Sequence, residues 1–458
     1  MNIMTFPTKL PGMLALAVAC LVTTRVGAQA PLDAYVHEGL TSNLVVQQRA
    51  VSLQQAEAAV QIAKSYFLPS VNLLADYTSG EGGRSIAVPV GDLLNPVYAS
   101  LNQLTQSDAF PTIDNVKQNF FPKNFYDARV RTSLPIINTD LYMSRAIKSQ
   151  QAVLQQQDLD VYKRQLVLEI KTAYFNYLSA VQAVKIYESA LALVTKNVEV
   201  NESLLRNGKS LPANYLRSKS EADKVSADLT SAQNRVSNAR KYFNFLLNRD
   251  LDSPIDESFP QTDSIVATDS LSDTSTENRR EELRMLQTTR SIYETTLRMN
   301  RLARAPKVNA FLDLGSQASD WQFNHDSRYY LLGVQFSMPL FQGMRTNITI
   351  RQSRLELQKT EYNIRNTERQ LTMATDIARN DWNTTQRNLQ AAREQLRSAQ
   401  SYFNLVEKGY GQGVNTLIEY LDARNQFTSS QLQQSLRRFE MLTAAARYER
   451  ESAAYTLE

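Results

Sequence analysis

The chain has 458 residues, with 50 Lys and Arg against 46 Asp and Glu, and one cysteine. A balance this close to neutral gives no argument for a nucleic-acid partner, and 14 Gly with 14 Pro exclude collagen-like and Pro/Gly-rich disordered chains. Two distant histidines, His37 and His325, and a lone Cys20 leave little material for a disulfide, a metal site or a His- or Cys-based catalyst.

Residues 1–28 read as a secretory signal peptide. Lys9 supplies a weak basic start, "MLALAVACLV" (13–22) an apolar core, and "VGA" (26–28) small residues before a cut between Ala28 and Gln29. The core is too short to span a membrane as a helix. A lipoprotein cut would make Cys20 the first mature residue. Ala17 at minus three and the apolar residues beyond Cys20 argue against that. Without Lys9 and Arg25 the count is 48 bases to 46 acids.

The rest is a tandem duplication. "VRTSLPII" (130–137) matches "VQFSMPLF" (334–341), "FLPSVNLLAD" (67–76) resembles "RAPKVNAFLD" (304–313), and "NGKSLPANYLRS" (207–218) matches "QGVNTLIEYLDA" (412–423). Each half reads helix, strand, strand, long helix, Gly-containing turn, return helix. The first repeat, 29–250, carries strands at about 70–78 and 126–134, a long helix at about 141–206 and a return helix at about 212–248. A connector at 251–278 holds seven acids and no base and reads as polar, with little regular structure. The second repeat, 279–458, carries strands at about 308–314 and 330–338, a long helix at about 345–408 and a return helix at about 416–455.

The strands alternate with period two, which gives one wet face and one dry face. Asp76, Asp127, Arg129, Arg131 and Asp313 fall on wet faces. Phe120, Phe121, Phe125, Tyr126, Trp321, Phe323, Tyr329 and Tyr330 gather near strand ends, as an interfacial girdle would. The local pattern also fits a half-buried sheet in a soluble domain. The charged wet faces, the strand length and the loops at about 79–124 and 316–328 favour a membrane barrel with a water-filled lumen. Four strands cannot close a barrel, so several chains must pool theirs, and three would give twelve.

The long helices show a heptad seam. Ile170, Ala173, Tyr177, Ala180, Val184, Tyr187, Leu191, Val194 and Val198 step by three and four, as do Leu389, Ala392, Leu396, Ala399, Phe403 and Val406. Each long helix is on the order of 95–100 Å, too long for a compact domain.

"YGQGVNTLIEYLDARNQF" (410–427) interrupts the second hairpin. Gly413 suits a positive-φ helix end and Thr416 the cap of the next helix. Glu419 and Asp422 share a helix face in its first turns. Two acids there can simply complement the helix dipole. Repeated around a symmetric opening, they would instead form a ring that favours cations.

Together these residues resemble the TolC family of outer-membrane efflux and export channels. The resemblance covers about 33–455 and rests on the duplicated order, the S-x-P-[IL] joints at Pro135 and Pro339, and the tip pattern Tyr410, Gly413, Thr416, Glu419, Leu421, Asp422, Ala423. It implies a mainly α fold with a small membrane β part. Three copies would build a 12-stranded β-barrel continuous with a 12-helix α-barrel. It also implies a Gram-negative outer-membrane location with a periplasmic extension, contact with outer-membrane lipid, a periplasmic adaptor and an inner-membrane transporter of RND or ABC type. Under it Glu419 and Asp422 form the pore constriction. Tyr410, Asn415 and Asn214 form a gate latch weaker than the family's, because Asn415 replaces a base and Asn214 an acid. Gly208, Lys209, Gly409, Gly411, Gly413 and Thr416 form the tip turns and adaptor surface. The five wet-face charges line the barrel lumen.

The implied function is an exit duct for small molecules or secreted protein. The competing reading is a secreted coiled-coil scaffold without a pore, which explains the heptads and leaves the four strands unexplained. No catalytic residue, cofactor or metal is expected, since the chain shows no phosphate loop, His cluster or nucleophile motif. The cargo is not legible.

Overall fold

The computed structural model describes residues 31–259 and 280–455. The signal peptide with Cys20 and most of the connector lie outside the described residues. The first half contains α1 (Pro31–Ser42), α2 (Leu44–Ser65), β1 (Ser70–Thr78), β2 (Ser85–Val88), α3 (Val90–Thr105), β3 (Val116–Asn119), β4 (Phe125–Ile137), α4 (Thr139–Arg206) and α5 (Pro212–Leu246). The second contains α6 (Glu281–Leu302), β5 (Lys307–Ser319), β6 (Arg328–Ser337), α7 (Arg345–Gly411) and α8 (Leu417–Glu451).

Two helices set the length. α4 has 68 residues and α7 has 67, each about 100 Å at 1.5 Å per residue. Neither holds a proline, and glycine enters only in the last turn of α7. Asn138 caps α4 by accepting the Asp140 N–H at 3.1 Å. α4 packs against α5, α6, α2 and α8 and, less extensively, α1. This widens its buried face beyond the expected seam. Ile170, Ala173 and Tyr177 of the seam are buried, but toward the tip Ile186, Ala190, Val194, Asn197 and Asn201 are the buried positions, whereas Tyr187, Leu191 and Val198 are half-buried. α7 touches only α6 and α8 to a comparable extent, and its buried Leu389, Ala392, Ala399, Phe403 and Val406 keep a narrow stripe.

The shorter helices stand end to end beside the long ones. Where α5 stops and α2 starts, Asn43 accepts the N–H groups of Val45 and Val46 and donates to the Leu246 carbonyl at 2.8 Å. Ser42 donates to the Leu247 carbonyl at 2.7 Å. Where α8 stops and α6 starts, charge replaces amides. Arg280 donates to the Glu451 carbonyl and carboxylate, and Arg164 of α4 grips both oxygens of Glu281 at 2.7 and 2.8 Å. Beside the amide joint lies the main aromatic core, with Tyr35, Tyr174 and Phe243 in mutual ring contact and Leu246, Leu247 and Ile170 around them.

The four main strands form one antiparallel sheet in the order β1-β4-β5-β6. The halves therefore meet at β4 and β5, and β1 and β6 are its two edges. β5 extends to Ser319, beyond the expected end at 314, because Gly315–Ser319 stay paired to β4 as far as Phe125. The segment at 79–124 carries more structure than the expected loop. β2 and β3 form a two-stranded ribbon, and α3 lies between them despite Pro96 inside it. Two side chains brace it. Asn95 bonds both the N–H and the carbonyl of Ile113 at 2.9 and 3.0 Å, and Asn102 does the same for Phe110 at 3.0 and 2.8 Å.

Candidate functional site

Two regions carry the candidate residues: the polar face of the sheet and the tips of the helical hairpins.

Register places Asp76 opposite Asp127, and Arg131 opposite both Asn72 and Asp313. All five wet-face charges share one face and pair with one another. Arg131 meets Asp313 in a two-pronged bond at 2.7 and 2.6 Å while lying over the Phe311 ring. Arg129 bonds Asp127 and reaches Asp76 at 3.5 Å. Tyr329 donates to Asp127 at 2.8 Å. Tyr329 therefore belongs to the polar face rather than the aromatic girdle, since it pairs with Gly315, which stands beside Arg129. The opposite face is apolar and open. Leu73 is 75% exposed and Tyr330 78%. Trp321 stacks on Tyr77 and Tyr126 at the strand ends.

Both tips close by the same turn. Gly208 (φ 69°) and Gly413 (φ 75°) occupy the left-handed position. The N–H after each reaches back to Leu204 and Gly409 respectively at 2.8 Å, the hydrogen-bond pattern of a Schellman motif. Gly409 and Gly411 lie in the last turn of α7, not in the turn itself, because the helix continues to residue 411. Gly409 has a separate reason. A Cβ there would stand 1.9 Å from Asn415 Oδ1, which folds back on the helix end. Lys209 is exposed beside Gly208.

Thr416 and Glu419 form a capping box. Thr416 Oγ1 accepts the Glu419 N–H at 3.3 Å, and Glu419 Oε2 accepts the Thr416 N–H at 2.7 Å. The Asn415 amide donates to the same oxygen at 3.3 Å. The Thr416 backbone N–H, then the Asn415 and Thr416 side chains, hold the Glu419 carboxyl below its usual range. Asp422 is exposed and has no hydrogen bond or ion pair among the described residues. The two acids are thus unlike: one is tied to the backbone and one is free.

The three latch residues do not meet within the chain. Tyr410 stacks on Tyr420 at 4.8 Å, and this turns its hydroxyl toward α4, where Asn201 Nδ2 donates to it at 3.2 Å. Asn214 donates to Ser210 at 3.1 Å. Asn415 is spent on Glu419. Sequence reasoning missed Asn201, its neighbours Asn197 and Ser218, and the pair Glu221–Arg424. A signal existed: two asparagines spaced by four interrupt the apolar stripe of α4. Burial raises the Tyr420 phenol above its usual range and lowers the Arg424 guanidinium.

Residues 36–249 and 274–450 match the family described as outer membrane efflux protein, one stretch for each half of the duplication. The chain belongs to the outer membrane efflux protein family. This efflux protein is 21% identical over 397 residues to outer membrane protein TolC of Escherichia coli (strain K12), covering 83% of this chain and 74% of TolC. It is 19% identical over 360 residues to the alkaline protease secretion protein AprF of Pseudomonas aeruginosa, covering 77% of this chain and 74% of AprF. Its fold matches the outer-membrane channel OprN with a TM-score of 0.74 at 16% identity, covering 93% of this chain and 90% of OprN. The open-state MtrE channel of Neisseria gonorrhoeae matches at 0.71 and 13% identity, covering 92% of this chain and 89% of that one. The efflux protein resides in the outer membrane with its helices extending into the periplasm, where it serves as an exit duct.

Proposed function

We propose that three copies of this efflux protein close a twelve-stranded barrel in the outer membrane, continuous with a twelve-helix tunnel whose tips gate its periplasmic end. The observation that carries this reading is the sheet. It has one face of paired charges, one exposed apolar face and two free edges. In hydrocarbon a free edge leaves backbone groups unpaired, so further copies must supply the missing strands. The paired charges then face the lumen, and the apolar face meets lipid.

At the other end, threefold repetition gathers Glu419 and Asp422 into a ring of six carboxylates, which favours cations. The exposed Leu211, Leu216, Val414 and Ile418 around the two glycine turns offer a periplasmic adaptor an apolar surface. The adaptor would link the duct to an inner-membrane transporter of RND or ABC type. Cargo is a small molecule or a secreted protein; the likeness to a protease secretion protein supports the second. A scaffold without a pore leaves the apolar sheet face and its two free edges without a purpose.

Single-channel recording of the detergent-purified protein in a planar bilayer under a salt gradient tests the proposal. Small cation-selective steps are expected, with selectivity reduced in Asp422→Asn. A protein that is soluble without detergent and conducts nothing would overturn it.

A further inference from the structure

A polar layer crosses the four helices a few turns from the tips. Most of it is satisfied. Asn201 Nδ2 donates to the Asn197 carbonyl at 2.9 Å, to Asn197 Oδ1 at 3.1 Å and to Tyr410 at 3.2 Å. Ser218 donates to Asn197 Oδ1 at 3.0 Å. One member differs. Arg424 of α8 meets Glu221 of α5 at 2.7 Å with side chains 1% and 9% exposed. The same Nη2 also donates to Asn425 Oδ1 at 2.7 Å. Nε and Nη1 of Arg424 are buried and have no hydrogen-bond partner among the described residues. One nitrogen of three carries every bond of this guanidinium, in a group built to donate five.

We propose that Arg424 is a gate-setting residue, whose unpaired buried donors bias the two hairpins of each copy toward separation. The proposal rests on the reading of the tips as the gate. A buried donor without a partner forfeits its hydration for nothing in return. When the two hairpins part at the packing of α8 on α4, water reaches Nε and Nη1 and that penalty disappears. Contacts that close the tip, such as Asn201–Tyr410, work against this bias. Arg424 therefore supplies the opening tendency and the asparagine–tyrosine bonds the closing one. An ordinary salt-bridge latch makes the opposite prediction. It would hold the tip shut, and any loss of it would open the channel.

The sign of the effect separates the two. In a buried pair, removing one partner destabilises strongly, whereas replacing both by well-packed apolar groups is often neutral or stabilising. In single-channel recordings of the purified assembly, Glu221→Gln is expected to raise open probability. The double variant Glu221→Leu/Arg424→Met is expected to lower it by about tenfold or more, with a higher unfolding temperature. If the double variant fails to assemble, Glu221→Gln/Arg424→Gln keeps a hydrogen bond without charge and is expected to lower opening too. A double variant that opens more, or matches the unaltered protein, overturns the proposal. Asp422→Asn recorded alongside keeps the two readings apart. If it alters selectivity while the double variants fail to reduce opening, only the role of Arg424 falls. If Asp422→Asn leaves conduction and selectivity untouched, the gate reading falls and this role with it.

Discussion

Glu419 and Asp422 stand three residues apart on one helix face, yet the structure gives them different duties. Glu419 closes a capping box, and its carboxyl is held below the usual range by the Thr416 backbone, Asn415 and the Thr416 hydroxyl. A depressed carboxyl contributes its full stabilisation above the unfolded carboxyl's pKa and loses it as pH falls through the lower folded value. Glu419→Gln keeps the acceptor and removes the charge, so it should reduce cation preference and leave α8 folded. Thr416→Ala should cost about 1 kcal/mol, read as a lower unfolding midpoint, with less effect on selectivity. Tyr410 and Asn201 give a second expectation. Tyr410→Phe and Asn201→Ala should each raise the leak of the closed channel in bilayer recordings. Asn214→Ala should change it little, because Asn214 bonds only within its own turn and helix. A large Asn214 effect would return the latch to that residue.

At the scale of elements, the two halves solve one problem twice with different chemistry. Each must join a return helix end to end with the helix that leads to the strands. The first half uses Asn43 and Ser42, with one charge pair, Arg249–Glu38, beside them. The second uses Arg164, Arg280, Glu281, Glu282, Arg450 and Glu451. Buried charges of this kind are sensitive to loss of a partner, by about 3–5 kcal/mol. Arg164→Met, which leaves the buried Glu281 without its two-pronged partner, should therefore lower the unfolding midpoint more than Ser42→Ala. The second joint is also the acid-sensitive one. Burial alone would raise the Glu282 carboxyl, but the hydrogen bond and charge of Arg280 outweigh it and hold the group below its usual range. Its contribution is complete above the unfolded carboxyl's pKa and fades as pH falls through the lower folded value. The gap in stability between the unaltered protein and Glu282→Gln should narrow across that acid window and be constant above it.

The whole molecule follows from its open sheet. A single copy exposes an apolar face and two unpaired strand edges, neither of which is stable alone in water or in lipid. The detergent-solubilised particle should therefore contain three chains, resist mild detergent and collapse to one chain on heating. A monomeric particle by mass measurement would contradict the barrel. Charge on the polar sheet face is largely self-paired: Arg131 with Asp313, and Arg129 with Asp127 and Asp76. Ion preference should accordingly be governed by the tips, where Asp422 is free.

Periodicity alone determined much of this protein. Period two in four short stretches and steps of three and four in two long ones assigned the strands and long helices, since side-chain direction follows backbone geometry over a few residues. The duplication and the tip pattern carried the resemblance to a channel family, and that resemblance implied a duct. The remainder depends on partners distant in the chain. α4 buries a broader face than its heptads imply because five helices pack on it. α3 forms in a Pro-containing segment because Asn95 and Asn102 bond backbone eight and more residues away. Tyr410 stacks on Tyr420 and meets Asn201 of the other hairpin. Arg424, one more polar residue in a polar helix, becomes a buried cation with one of its three nitrogens bonded only when a second hairpin closes over it. Local sequence sets which way a side chain points; burial and pairing are set by what the fold brings against it.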